Sequence, residues 1–144
     1  MTIVAGSVWR RFTLNKKGEF IEYLLEQMHD VGQVNARAMF GGHGIYHEGI
    51  MFALVADDVL YLKTDEVNRP EFEARKLSPF LYERKDKVIS MSYNEAPGEV
   101  LDDPDEMTYW ARSAIQASRR AARQTTARAV NKSSRNKAKK KSRR

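Results

Sequence analysis

The sequence predicts an α+β fold of two layers: a mainly antiparallel sheet with helices on one face, in the order α-β4-α-β2-α. Two observations lead there. Stretches of helical period with start signals occur near residues 15–32, 68–76 and 103–123. Between them lie short alternating or apolar runs joined by tight turns, as antiparallel strands require. A third observation divides the chain. Residues 1–118 carry 13 Lys and Arg against 19 Asp and Glu, net −6, whereas residues 119–144 carry 12 Lys and Arg and no acid, net +12. We therefore expect a loose segment 1–14, one domain 15–123, and a basic, disordered tail 124–144.

Residues 1–14 have no clear period, and Trp9 and Phe12 are their candidates for docking on the domain. Asn15 then suits an N-cap, and Phe20, Ile21, Leu24, Leu25 and Met28 fall on one helical face that Gly32 ends. Val34, Ala36 and Ala38 alternate with polar or longer residues as a strand does. Gly41-Gly42-His43-Gly44 reads as a turn, followed by a short strand from Ile45 that Glu48-Gly49 can reverse. Ile50 to Ala56 is a near-continuous apolar run, as in a strand buried on both faces, and Asp57-Asp58 turns it into Val59–Lys63.

The second helix starts on a capping box, with Asn68 as cap, Pro70 in the first turn and Glu71 reaching back, and it stops before Ser78-Pro79. Phe80–Arg84 and Val88–Tyr93 form a hairpin about Lys85-Asp86, and a loop runs from Asn94 to Asp102. Asp103, Pro104 and Glu106 open the last helix, whose inner stripe is Met107, Trp110, Ala111, Ala114, Ser118 and Ala121. The helix can run past Arg123, but beyond about Gln124 the apolar period vanishes. Lys, Arg, Ser, Asn and Ala cannot bury enough surface to offset the entropy of ordering, so no order is expected over 125–144.

Composition excludes several functions. The chain has no cysteine, which removes disulfides, thiolate nucleophiles and thiolate metal sites and fits a reducing cytoplasm, the expected location. Met1 to Thr13 has no apolar core of a signal peptide, and no run of about 18 apolar residues exists to span a membrane.

From Phe20 to Ser118 the chain resembles the TfoX N-terminal domain family. The resemblance rests on Met39-Phe40-Gly41-Gly42-His43-Gly44-Ile45-Tyr46, Met51-Phe52-Ala53-Leu54-Val55 and Leu60-Tyr61-Leu62-Lys63. It continues through Asn68-Arg69-Pro70 with Phe72, Pro79-Phe80 with Tyr82, Met91-Ser92-Tyr93 and Glu95-Ala96-Pro97. It implies a two-layer α+β domain like that of secretion chaperones, with no established catalytic residues. It also implies a regulatory role: the named members promote transcription of natural-competence genes in concert with the cyclic-AMP receptor protein. Where those regulators carry a second, helical domain, this sequence carries the basic run.

The residues themselves point to no catalysis. Gly41, Gly42, His43 and Gly44 could free N–H groups for an anion or form an interaction site, but a strand follows where a dinucleotide or phosphate loop needs a helix, so a structural turn is preferred. His43 and His47 stand about 13 Å apart if on one strand, too far to share a metal. Asp57-Asp58 and Asp102-Asp103 suit turns and caps, and no serine has an evident base. Tyr46, Phe52, Tyr61, Phe80, Tyr82 and Tyr93 fall on strands, where core or dimer contacts are favoured over base stacking because no RNA-recognition signature accompanies them.

The strongest signal is the basic run: Arg119, Arg120, Arg123, Arg128, Lys132, Arg135, Lys137, Lys139, Lys140, Lys141, Arg143 and Arg144. Such an arm neutralises phosphates and releases counterions without reading sequence, and it holds no aromatic residue for stacking single strands. The expected protein is thus a non-enzymatic regulator whose tail contacts the nucleic-acid backbone and whose domain meets a protein partner or a second copy. No cofactor, metal, small molecule or membrane is expected. The competing reading is an interaction or dimerisation module with no nucleic-acid role.

Overall fold

The structure is a computed structural model that describes residues 16–39 and 41–142. Trp9, Phe12 and the expected cap Asn15 lie outside the described residues, as do Arg143 and Arg144. The elements run α1 (Lys16–Gln27), β1 (Val34–Met39), β2 (Gly42–His47), β3 (Ile50–Ala56), β4 (Val59–Lys63), α2 (Arg69–Ala74), β5 (Pro79–Arg84), β6 (Lys87–Glu95), a 3-10 turn (Gly98–Leu101) and α3 (Pro104–Ser142).

All six strands join one antiparallel sheet, ordered β1-β2-β3-β4-β6-β5. Three of its hairpins turn on the residue pairs expected. Glu48-Gly49, Asp57-Asp58 and Lys85-Asp86 all take positive φ at both positions, the two-residue geometry whose twist matches that of the flanking strands. A bulge between Ile45 and Tyr46 shifts the β2–β3 register, and another irregularity falls between Pro79 and Leu81 in β5.

One face of the sheet carries the core. Register pairs Ile45 with Ala53, Ala53 with Leu62, and Val55 with Leu60, and all five are buried together. Ile21, Leu24 and Met28 of α1 and Met107, Trp110, Ala111, Ala114 and Ile115 of α3 close over them, with Phe72 set edge-on to Trp110 at 5.0 Å. Both predicted apolar stripes are therefore core. The Tyr23 hydroxyl donates to the Leu101 carbonyl, and Gln27 Nε2 donates to the same oxygen at 3.0 Å, so α1 is tied to the turn that leads into α3.

Three local expectations are corrected. The Gly-rich stretch is no loop: Gly42, His43 and Gly44 are ladder residues of β2, and only Gly41, at φ 78°, remains in the turn. Asn68 does not cap α2 with its side chain, because its amide is already engaged with Asp65, Lys63 and Ser113. The run after Gln124, expected to have no order, is helical, and the last helix runs past Arg123 as its sequence allows. It continues to Ser142, a helix of 39 residues with no Gly or Pro after Pro104, rich in the Ala, Arg, Lys and Gln that favour helix. At the other end of α3 the expectation stands: Asp103 Oδ1 accepts the Asp105 N–H at 2.9 Å.

Candidate functional site

The basic run begins where α3 leaves the core. Ala117 and Ser118 are buried, Arg120 to Ala122 are half-buried, and Arg123 to Lys132 are exposed. From Arg123 to Ser142 the helix extends about 29 Å. Arg128 and Lys132 stand one turn apart on the exposed helix, and Arg135, Lys137, Lys139, Lys140 and Lys141 follow on its later turns.

Two of the residues expected to bind phosphate have partners within the fold. Arg119 Nη2 pairs with Glu48 Oε2 at 3.1 Å and lies 3.4 Å from His47 Nδ1. Arg120 grips Asp65 with two nitrogens, Nη2 donating to Oδ1 at 3.0 Å and Nε to Oδ2. These bonds to Arg120 hold the Asp65 carboxyl below the usual carboxylate range. Arg123, Arg128 and Lys132 have no ion-pair partner among the described residues.

Asp65 was not legible as a functional residue, yet it organises the join between domain and basic helix. Its Oδ1 also accepts the N–H groups of Val67 at 3.0 Å and Asn68 at 3.2 Å, while its own N–H donates to Asn68 Oδ1 at 2.8 Å. Asn68 Nδ2 then donates to the Lys63 carbonyl at 3.0 Å and to Ser113 Oγ at 3.2 Å. The loop after β4 thus clamps α3 at Ser113 and Arg120, two turns apart. The available signal was the Asp-x-x-Asn spacing, which favours a side-chain-closed turn over a cap.

The Gly positions serve packing. A Cβ on Gly42 would stand 2.1 Å from the Val55 carbonyl oxygen, and one on Gly44 would meet the sulfurs of Met51 and Met39 at 2.6 and 2.9 Å. Their backbone groups belong to the ladder, and His43 pairs across to Val55 and Ala38. His47 lines an open cleft of about 750 Å³ together with Leu25, Met28, His29 and Val34. Among the described residues no three His, Asp or Glu side chains converge as metal ligands would.

The opposite face of the sheet carries paired cations and aromatics. Arg37 lies over the Tyr46 ring at 5.0 Å, Lys63 over Tyr93 at 5.1 Å, and Tyr61 packs edge-on to Phe80 at 5.0 Å. Tyr93 is only 6% exposed, and burial pushes its hydroxyl up to about 12. Burial likewise lowers the Lys63 ammonium. Tyr93 is thus a packed residue rather than a stacking platform, and Phe52 is wholly buried.

The family model of the TfoX N-terminal domain matches residues 26–118. The chain belongs to that family. The match ends at Ser118, one residue before the basic run begins, so the TfoX domain and the net-negative part of the chain share a boundary. The chain is also 28% identical over 89 residues to the DNA transformation protein TfoX1 of Aliivibrio fischeri, a match that covers 62% of this chain and 43% of that protein. It thus spans less than half the length of this relative. No described helix is long and apolar enough to cross a membrane.

Proposed function

We propose that this chain is a non-enzymatic cytoplasmic regulator of the TfoX type that acts in DNA transformation. The TfoX domain docks a protein partner, and the basic half of α3 holds the phosphate backbone of nucleic acid without reading its sequence. The observation that carries this reading is the change of sign along one continuous helix. One face of its first four turns, with Met107, Trp110, Ala111, Ala114 and Ser118, is buried against a body whose residues 1–118 carry net −6, and the residues from 119 onward carry +12. An acidic body repels polyanions, so contact is directed to the extension. Family membership and the name of the Aliivibrio relative support the transformation setting.

The test is duplex DNA binding by the full chain and by a variant with every Lys and Arg from 123 to 144 replaced by Gln. Arg119 and Arg120 are kept because they hold the fold. The wild type is expected to bind weakly, with affinity falling steeply as salt rises, and the variant not at all. Equal binding by both chains, or none by either, contradicts the reading and favours a protein-interaction module with no nucleic-acid role.

A further inference from the structure

The two edges of the sheet are built differently. The β5 edge has the features that discourage pairing: Pro79, an irregular register beside it, and the charged residues Glu83 and Arg84. The β1 edge has almost none. It runs six residues with no proline and no bulge, and Ala36 and Ala38 set only methyl groups beside its backbone. Its one charged side chain, Arg37, lies along the sheet over the Tyr46 ring.

The outward groups can be assigned. Two residues separate Met39 from its partner Gly42, and the closing pair of such a hairpin exchanges both backbone hydrogen bonds. Met39, Arg37 and Asn35 therefore point their N–H and C=O groups at β2, while those of Val34, Ala36 and Ala38 point to the open edge. Among the described residues no backbone hydrogen bond reaches those groups.

We propose that the β1 edge is an interaction surface for a second copy of this chain, the two β1 strands pairing antiparallel about Ala36 to make one continuous sheet. The sequence of β1 is self-complementary in that register. Ala36 faces Ala36, Val34 faces Ala38, and Asn35 faces Arg37 on the other copy, so an amide oxygen meets each guanidinium. The three outward residues then form hydrogen-bonded pairs together. The next permitted register, centred on Arg37, sets two like charges opposite each other and is disfavoured. A slip by one residue would put core-side and outer-side residues opposite each other.

Sedimentation of the full chain over a range of concentrations, paired with amide hydrogen exchange, tests this. The expected result is a monomer–dimer equilibrium in which the amides of Val34, Ala36 and Ala38 exchange more slowly as dimer forms. Ala36→Pro deletes an outward N–H, and Ala38→Lys sets a charge against the apolar Val34 of the other copy. Whichever of the two keeps the native circular dichroism is expected to sediment as monomer. Leu81→Lys, on the far edge, is expected to leave the dimer intact. A wild type that stays monomeric throughout overturns the proposal. So does a dimer that survives both β1 substitutions or dissolves with Leu81→Lys. Protection of these amides that is independent of concentration also overturns it, because the edge would then be covered within one chain.

Discussion

Arg120 holds Asp65 through two nitrogens across 55 residues of sequence, its Nη2 3.0 Å from Oδ1. Asp65 is at once the partner of Asn68 and of two backbone N–H groups in the loop after β4. One carboxylate therefore sets where the long helix departs from the sheet, and with it where the basic run starts.

Both groups of this pair are mostly shielded, with side chains 26% and 22% exposed. Replacing Arg120 by Ala is expected to cost about 1.5–3 kcal/mol, the range for a hydrogen bond to a charged group. Exposed Arg128→Ala is expected to change stability by less than about 0.5 kcal/mol. Urea unfolding of the two variants measures the contrast, and DNA binding should reverse it, since Arg128 is free of the fold and Arg120 is not.

The pH dependence follows from the sign of the Asp65 shift. Its carboxyl is lowered from 3.8 in the folded chain, so the stabilisation is complete above 3.8 and is lost as pH falls through the lowered value. The stability gap between wild type and Asp65→Asn should be constant near neutrality and close on acidification. Denaturant melts at a series of acidic pH values would show it. A gap that widens with acid would contradict the pair's role.

The glycines of the family motif should differ in cost for geometric reasons. Gly42→Ala drives a methyl into the Val55 backbone oxygen and is expected to lose about 3 kcal/mol or more. Gly44→Ala meets the movable ends of two methionines and should lose about 1–2 kcal/mol. Gly41→Ala meets open space and should lose only about 1 kcal/mol, from its positive φ. Midpoints of chemical unfolding give the ranking directly.

Tyr93 should be the late tyrosine in an alkaline titration. Burial holds its hydroxyl neutral to about 12, so the folded state loses this stabilisation as pH rises from 10 toward that value. A spectrophotometric tyrosinate titration should show a late transition that Tyr93→Phe removes.

Much of this architecture was legible because its signals are local. Glu48-Gly49, Asp57-Asp58 and Lys85-Asp86 announce their hairpins within two residues, and Leu24, Met28, Met107 and Trp110 mark their buried faces by period alone. What escaped depends on distant contacts. Gly42 reads as a turn residue, yet its need for a bare Cα comes from Val55 on the next strand. Asn68 reads as a cap, but Asp65 and Ser113 claim its side chain. The full length of α3 escaped because apolar period, the signal for burial, stops at Arg123 while helix propensity does not. Among the basic residues, composition could not separate Arg119 and Arg120, which pair inward, from Arg123, Arg128 and Lys132, which have no ion-pair partner among the described residues.

The central claim is that the basic half of α3 contacts phosphates. The most direct measurement is the slope of log affinity for duplex DNA against log salt, for the full chain and for Arg128→Gln/Lys132→Gln. We expect a steep negative slope for the wild type, shallower by about two in the double variant, one unit per lost phosphate contact. Equal slopes for the two chains would contradict the account.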